Sequence, residues 1–422
     1  MRTPAFSTCQ HLHICVLTRV AMQHGVGGGM ERHAETLRQG LVSRGHRVTT
    51  ITTPHPQGVQ QQRDTLGATY FVGSGRPLVY SRAWWRASTA QLLDLHARDP
   101  FDVVVGHGKA VYAYLAQRRR FPTTQQIPVV VITHNNIIRD FQQQLTQVRH
   151  RPLGVLRWVP RGLKLYVDDL RYLPLAERIT ALSDSTGDAL RHWFRLDQKR
   201  ITVIFNGVDV EACLAAQGQR PSWRRHLLLA DDTVLIVAIG RLVNDKGHQY
   251  LIDAFASLTS GTHTPLCQLV IAGDGPLRAA LQAQAQQRGV ARDVTFLGHV
   301  AHDEALALMQ AADVMAHPSL VEGLPLTLLE AMACGRPIIA SQVGAIAQWL
   351  VDGVSGLLIP AANSSALTHA LSKLVGNPHF GARLGEQAQH TLRARGDQRL
   401  MVEQFEAVLS SAAAAGAKPS GG

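Results

Sequence analysis

The chain has few cysteines and no long apolar run. Its five cysteines (Cys9, Cys15, Cys213, Cys267 and Cys334) are scattered, and no two are spaced as CxxC. The sequence therefore predicts neither a disulfide framework nor a cysteine-based zinc site. No window approaches the roughly 18 consecutive apolar residues of a membrane span, and the first ten residues lack the apolar segment of a secretory signal. These features favour a cytoplasmic protein.

Acidic residues are scarce in the first half of the chain. Residues 1–200 hold 27 Lys and Arg against 13 Asp and Glu, a net charge of +14, whereas residues 201–422 hold 15 against 18, a net charge of −3. A basic half predicts an anionic partner, either a membrane surface or a phosphorylated or acidic acceptor; a basic surface that only aids solubility is the alternative. Residues 148–167 mix basic and apolar side chains, which suits either an interfacial membrane helix or a basic helix on the core. RNP, KH, zinc-finger and helix-turn-helix patterns are missing, so nucleic acid is not predicted as a partner.

Short runs rich in Val and Ile alternate with helical patterns along the whole chain. This alternation predicts an α/β protein with parallel strands buried on both faces. At 422 residues the chain exceeds the usual size of one core, so we expect two doubly wound, Rossmann-like sheets. The predicted strands are residues 13–18, 47–53, 102–107, 128–134, 178–183 and 201–207, then 233–240, 269–273, 294–298, 314–319, 337–341 and 357–360. A helix is predicted at residues 30–45.

The connection NGVDVEACLAAQGQRPSW marks the predicted boundary between the two domains. We place the first domain at residues 1–207 and the second at residues 208–385. A helix is expected at residues 386–410, followed by a flexible tail at residues 411–422, because SSAAAAGAKPSGG is a typical frayed end.

The stretch HPSLVEGLPLTLLEAMACGRPIIA holds two glutamates, Glu322 and Glu330, in an almost wholly apolar context. Pro325 suits the first turn of a helix, and Gly323 loosens the turn before it. The first N–H groups of this helix, at Leu326 and Thr327, form an anion site. The two carboxylates would accept hydrogen bonds from hydroxyls on either side of it. A ligand with a central diphosphate between a sugar and a ribose matches this pattern; the alternative is two glutamates that only complement the helix dipole.

Three further loops follow predicted strands of the second half. GRLVNDKG contains Gly240, Arg241 and Lys246, and two cations at a sheet edge could stabilise the charge of a diphosphate leaving group. IAGDGP contains Gly273 and Gly275, and FLGHV contains His299 and Val300. Glycine-rich loops of this kind are suited to backbone contact with a nucleotide.

The first half contributes the loop HGVGGGMER and two histidines. Gly28 and Gly29 let the backbone approach a phosphate or a sugar closely, although the loop is neither a P-loop nor a GxGxxG fingerprint. His107 and His134 each follow a predicted strand. Each is either a ligand contact or proton carrier, or a side chain that caps a strand loop.

Together these motifs resemble the retaining GT-B glycosyltransferases of family 4, whose EX7E motif E322-GLPLTLL-E330 matches. GGGMERH, FNGVD with Asn206, GRLVNDKG, IAGDGP and FLGHV also match, and the resemblance covers residues of about 12–360. It implies two Rossmann-like domains around a cleft, with the acceptor mainly on the first domain and the donor on the second, and a last helix that crosses back to the first domain. Leu324 and Phe205 depart from the residues that are frequent at these positions.

The resemblance also implies roles for individual residues. Arg241 and Lys246 would hold the diphosphate, Glu330 the ribose hydroxyls and Glu322 the transferred sugar. Gly28 and Gly29 would approach the donor phosphates, and His107 or His134 would lie near the reacting carbon.

The predicted function is transfer of a hexose from a UDP- or GDP-linked sugar to a glycan or lipid-linked acceptor, with retention and without a metal or resident cofactor. Lipopolysaccharide, exopolysaccharide or glycolipid synthesis is the expected setting, in the cytoplasm or at the inner face of its membrane. The alternatives are a nucleotide-sugar epimerase of the same architecture and a non-catalytic nucleotide-sugar-binding protein.

Overall fold

The computed structural model describes residues 11–24, 29–134, 166–261 and 265–416. The predicted donor contact Gly28 and the basic segment 148–165 lie outside this part of the chain. The residues divide into two units: Met1–Phe205 with Arg399–Gly422, and Asn206–Gln398. This division falls two residues before the predicted boundary at 207.

The first unit is built on an eight-stranded sheet in the order β3-β4-β2-β1-β5-β6-β7-β8. Its strands are β1 His13–Leu17, β2 Arg47–Thr52, β3 Gln61–Asp64, β4 Gly67–Phe71, β5 Val103–His107, β6 Val129–Thr133, β7 Arg178–Ala181 and β8 Ile201–Val203. Every residue of β1, β5 and β6 is buried, which is the pattern of central parallel strands covered on both faces. Its helices are α1 Gly29–Ser43, α2 Arg82–Arg98, α3 Tyr112–Gln117 and α4 Asp184–Trp193.

The second unit has a six-stranded parallel sheet in the order β11-β10-β9-β12-β13-β14. Its strands are β9 Val234–Ile239, β10 Cys267–Ala272, β11 Val294–Gly298, β12 Val314–His317, β13 Ile338–Ser341 and β14 Leu357–Ile359. Its helices are α5 Val210–Ala215, α6 Arg220–His226, α7 His248–Thr259, α8 Arg278–Gln287, α9 His302–Ala311, α10 Leu326–Ala333, α11 Ser364–Val375 and α12 Pro378–Arg395. Strand β9 pairs with both β10 and β12, so the strand order reverses at β9. Ligands of open α/β sheets bind beyond the carboxyl ends of the strands at such a point.

The prediction of two α/β domains with parallel sheets is confirmed, and all twelve predicted strands are present. The strands β3 and β4 are not among the predicted ones; QQRD of β3 is polar and exposed, so it lacks the apolar pattern of a buried strand. It pairs antiparallel with β4 at the edge of the first sheet, so that sheet is mixed. The predicted strand 201–207 is shorter and ends at Val203.

The predicted bounds of the last helix, residues 386–410, and of the tail that begins at residue 411 are wrong; residues 417–422 of that tail lie outside the described part of the chain. Helix α12 ends at Arg395, and a separate helix, α13, runs from Gln398 to Gly416. The break occurs where Asp397 forms an isolated bridge with Val208. Residues 411–416 are helical rather than a tail, since alanine is the strongest helix former.

Helix α13 packs on the first unit. Its Phe405 and Leu409 are fully buried in a cluster with Leu41 of α1 and Val105 of β5. Glu406 lies beside them and is also buried; its Oε1 accepts a hydrogen bond from His46 Nε2 at 2.8 Å and its Oε2 one from Arg44 Nε at 2.6 Å. Burial raises the pKa of this carboxyl, but the hydrogen bonds with His46 and Arg44 lower it by more.

Replacing Glu406 should weaken the first unit. Glu406→Ala leaves the buried His46 ring without its acceptor, so we expect the free energy of unfolding to fall by about 1–3 kcal/mol. Glu403→Ala is the matched control, because Glu403 is on the same helix, is 55% exposed and contacts the same Arg44 at 3.5 Å. It should cost less than about 1 kcal/mol. Equal losses in chemical denaturation would show that the buried carboxylate does not fix α13.

Candidate active site

Three loops meet at the carboxyl edge of the second sheet. They follow β9, β12 and β13, which are neighbours in that sheet. The N–H of Leu320 donates to the Asp245 carbonyl at 2.7 Å, and the N–H of Ala345 donates to the Gly323 carbonyl at 2.8 Å. The loops that carry GRLVNDKG and HPSLVEGLP are therefore joined by backbone hydrogen bonds.

Glycines allow this close approach. Gly247 has φ of +67°, and a Cβ atom there would lie 2.0 Å from the Pro318 carbonyl oxygen. Gly344 has φ of +63°, and its Cβ would lie 2.2 Å from the Glu322 carbonyl oxygen. Both positions combine a left-handed backbone with contact against another loop, so only glycine fits them without displacement.

Glu322 is the polar centre of these loops. Its Oε1 atom accepts from Lys246 Nζ and from Ser319 Oγ, the latter at 2.8 Å, and lies 3.2 Å from His317 Nε2. The side chain is 10% exposed. Burial raises the pKa of this carboxyl, but the His317 hydrogen bond and the charge of Lys246 outweigh it and lower the pKa to about 2. Glu322 is thus a mostly buried, ionised carboxylate at neutral pH.

Helix α10 begins directly after this loop. In its first turn the N–H groups of Leu328 and Leu329 donate to the Pro325 carbonyl. The N–H groups of Leu326 and Thr327 therefore lie before the first hydrogen bond of the helix. Pro325, predicted in the first turn of this helix, is instead its N-cap residue, and the helix begins at Leu326. Glu330 is buried on the same helix, with Oε1 3.8 Å from His302 Nδ1. An anion site at the start of α10 is consistent with this backbone.

The other predicted donor contacts lie along the same sheet edge. Arg241 is exposed in the loop after β9. A Cβ atom on Gly273 would lie 1.9 Å from the Gly240 carbonyl oxygen, and one on Gly275 would lie 2.5 Å from the Leu242 carbonyl oxygen. The structure thus gives these glycines a packing requirement, whatever they contact in a ligand. His299 is exposed and Val300 half-buried, just after β11.

Three polar residues of this site were not predicted. Ser319 and His317 belong to the quoted stretch, but their orientation toward Glu322 depends on the loop conformation. His248, the first residue of α7, is buried, and burial together with the nearby charges of His317 and Lys246 lowers its pKa to about 4. The sequence signal that could have identified His248 as a site residue is its position directly after Gly247.

The two histidines predicted in the first unit lie together. His107 Nδ1 is 2.7 Å from His134 Nε2, and their rings stack with centroids 5.0 Å apart. A third histidine, His33 of α1, lies against both rings. Burial, together with the neighbouring histidines, lowers the pKa of His107 to about 3 and that of His134 well below its usual value. The pair is therefore neutral, with one ring donating an N–H to the other.

The two remaining predicted residues lie at the start of a helix and at the start of the second unit. Gly29 is the first residue of α1. Asn206 is the first residue of the second unit and is buried, and its Oδ1 atom has no hydrogen-bond partner among the residues that the structure describes.

Within the described ranges the structure has neither a metal-binding cluster nor a membrane-spanning helix. No group of three or more His, Cys, Asp or Glu side chains there could hold a metal ion. Of the helices that the structure describes, none has the length and apolarity needed to cross a membrane.

Solved structures share this architecture. Sucrose-phosphate synthase from Thermosynechococcus elongatus superposes with a TM-score of 0.77 at 21% identity, over 96% of this chain and 100% of that chain. HepE of Anabaena in complex with UDP-glucose superposes with a TM-score of 0.72 at 21% identity, over 95% and 100%. The two units thus form the GT-B fold of glycosyltransferases.

Sequence comparison assigns the family. The model of Glycosyltransferase Family 4 matches residues 27–212, and that of Glycosyl transferases group 1 matches residues 219–391. Among curated proteins, the alpha-D-kanosaminyltransferase of Streptomyces kanamyceticus is 27% identical over 303 residues, which are 68% of this chain and 72% of that protein. The chain belongs to the family 4 type of glycosyltransferases, as the sequence motifs predict.

The loop contact at Gly247 can be tested with a paired substitution. Gly247→Ala adds a Cβ atom against the Pro318 carbonyl oxygen, whereas Gly353→Ala adds one at a similar φ of +71° with nothing within 4 Å. Both variants carry the cost of a left-handed alanine, on the order of 1 kcal/mol. We expect Gly247→Ala to lose clearly more stability in thermal unfolding than Gly353→Ala. Matching losses would mean that the loops shift apart easily.

The ionised state of Glu322 predicts a pH-dependent stability. Its folded-state pKa lies below the ordinary 4.5, so its contribution is present above about pH 4.5 and is lost as the pH falls toward 2. The shift corresponds to roughly 3 kcal/mol. The stability gap between the parent protein and Glu322→Gln, measured with denaturant, should be widest near pH 7 and narrow below pH 4.5.

Asp303→Asn serves as the control for loss of a charge, since Asp303 is exposed in the same unit. It should change the free energy of unfolding by less than about 0.5 kcal/mol. A gap for Glu322→Gln that stays constant down to pH 3.5 would contradict the ionised, paired carboxylate.

Proposed function

We propose that this glycosyltransferase moves a hexose from a nucleoside-diphosphate sugar to a glycan or lipid-linked acceptor, with retention of the anomeric configuration. The observation that carries the proposal is the ionised Glu322, held by Lys246, His317 and Ser319 directly before the N-terminus of α10. A sugar nucleotide has hydroxyls for the carboxylate and a diphosphate for the cations and the helix N-terminus. HepE, which shares the fold, binds UDP-glucose.

The second unit would bind the donor through distinct groups. Lys246 and Arg241 take the diphosphate, together with the N–H groups of Leu326 and Thr327. Lys246 carries three N–H donors, so it can hold Glu322 and still donate to a phosphate oxygen. Glu322 accepts from the transferred sugar, and Glu330 from the ribose.

The reaction proposed is a front-side displacement. The bond between the anomeric carbon and the diphosphate oxygen breaks, the acceptor oxygen bonds to the same face of that carbon, and the leaving diphosphate takes the acceptor proton. Neither glutamate then has to act as a general base. The two cations stabilise the charge that develops on the diphosphate, and the proposal requires no metal ion.

The setting in lipopolysaccharide, exopolysaccharide or glycolipid synthesis and the contact with an anionic membrane surface stay predictions. The first unit would supply the acceptor site, with His107 or His134 near the reacting carbon.

The cations of the GRLVNDKG loop should determine turnover. Lys246→Ala and Arg241→Ala should each lower kcat on the order of 10²-fold, because each removes a charge that stabilises the leaving group. Release of the nucleoside diphosphate from UDP-, GDP- and ADP-sugars, with a glycan acceptor mixture, is the measurement. Arg292→Ala is the control, since Arg292 is exposed at the amino end of β11 in the same unit, and its kcat should not change.

Near-normal turnover by both alanine variants would show that Lys246 and Arg241 do not stabilise the leaving group. An epimerised donor formed without any acceptor would instead identify an epimerase. Donor that stabilises the protein against heat yet is never consumed would identify a binding protein.

A further inference from the structure

Two cysteines that are far apart in the sequence lie against each other in the second unit. Cys213 is buried on α5, and Cys334 caps the carboxyl end of α10. Cys334 donates from Sγ to the Cys213 carbonyl at 3.8 Å, although 121 positions separate the two residues. The two side chains also hydrogen-bond to each other. The fold therefore creates a thiol pair where the spacing of the cysteines predicts no disulfide.

The backbone on both sides of this pair is fixed by hydrogen bonds. The Cys213 carbonyl accepts from Gln310 Nε2 at 2.7 Å, and the N–H of Cys334 donates to the Glu330 carbonyl at 2.9 Å. Cys213 and Cys334 are 1% and 2% exposed, and both are free thiols. The contact between the two thiols is thus set by the packing of α5 against α10.

This contact distinguishes the pair from the other cysteines that the structure describes. Cys15 lies in β1 of the first unit, and Cys267 lies in β10, where its Sγ donates to the Pro265 carbonyl at 3.2 Å. Within the described ranges neither of them hydrogen-bonds a second cysteine. A disulfide forms without strain only where two sulfurs can meet with little movement of the backbone. Of the described cysteines, Cys213 and Cys334 are the two that meet this condition.

The short helix α5 gives small solutes a route to the pair. The hydrogen bond with Cys334, burial and the charge of Glu330 raise the pKa of the Cys213 thiol, so it stays protonated and unreactive while α5 is in place. That helix has six residues. Three residues of its outer side are exposed, namely Glu211, Ala212 and Ala215. Because so short an element makes few buried contacts, we expect it to open at a lower free energy than the whole unit and to expose Cys213.

We propose that Cys213 and Cys334 are an oxidation site, at which a peroxide converts the two thiols to a disulfide that ties α5 to the end of α10. Hydrogen peroxide oxidises one thiol to a sulfenic acid and is itself reduced to water. The sulfur of the other thiol then bonds to the sulfenic sulfur, and the displaced hydroxide leaves with the remaining thiol proton as a second water. Two thiols and one peroxide thus give one disulfide and two waters, and a dithiol reductant reverses the change.

The disulfide would stabilise the second unit. It closes a loop between two residues that are 121 positions apart, and a cross-link over a long loop lowers the conformational entropy of the unfolded chain. The site is independent of the proposed function, because neither sulfur is among the groups assigned to the donor.

Oxidation of the full chain tests the site. The folded protein is treated with millimolar hydrogen peroxide, the remaining thiols are blocked with iodoacetamide, and a digest with trypsin and a glutamate-specific protease is analysed by mass spectrometry without reductant. We expect the peptide pair that joins Cys213 to Cys334 to exceed every other cross-link by about tenfold or more, since these thiols are already in contact. Dithiothreitol should remove it. The oxidised protein should have a Tm higher by about 5 °C or more.

Cys267→Ala is the matched control, because it removes a buried thiol of the same unit that lies outside the pair. This variant should keep both the cross-link and the rise in Tm, whereas Cys213→Ala and Cys334→Ala should lose both. Sulfoxide at the exposed Met22 shows in the same digest that the peroxide has reacted with the protein. A digest of the parent protein with that sulfoxide but without the peptide pair would overturn the site, and so would an equal rise in Tm for Cys213→Ala.

Discussion

The ion pair between Lys246 and Glu322 is the interaction on which the candidate site depends. A carboxylate that is 10% exposed must have compensating partners, and here they come from two separate loops. The pair requires β9 and β12 to be neighbours in the sheet, although about 75 residues separate them. It also requires the two loops to pack backbone to backbone at Gly247 and Pro318. The ion pair between Lys246 and Glu322 therefore depends both on the strand order of the sheet and on the packing of the two loops.

Much of the fold and part of the site could be predicted from the sequence. Strands such as PVVVITH are apolar on both faces, so their pattern is visible locally. The polar edge strand Gln61–Asp64 carries no such pattern and forms because β4 offers it a partner. Glu322 is predictable as a donor contact because it stands in an apolar stretch just before a predicted helix, and Lys246 because it stands in the loop after a predicted strand. Their pairing with each other, and the parts of His317 and Ser319, depend on a loop conformation that spacing does not encode.

The glycines of the second unit also show what cannot be predicted from the sequence. Gly273 and Gly275 suggested contact with a nucleotide, because glycine permits close approach to a ligand. In the structure they also permit close approach of one loop to another. Residue type alone does not distinguish the two requirements. In the first unit, His107 and His134 were identified separately, but their stacking against His33 depends on α1, which the sequence places far away.

The position of α13 has a consequence for the order in which the protein forms during synthesis. The first unit is assembled from both ends of the chain, with Asn206–Gln398 inserted between its two parts. When residue 205 leaves the ribosome, the apolar face around Leu41 and Val105 still lacks Phe405 and Leu409. At about 5–20 residues per second, the second unit takes roughly 10–40 s to follow. During that interval the second unit can complete its own core, whereas the sheet of the first unit still has an uncovered apolar face. The later-synthesised unit is thus the first that can finish folding.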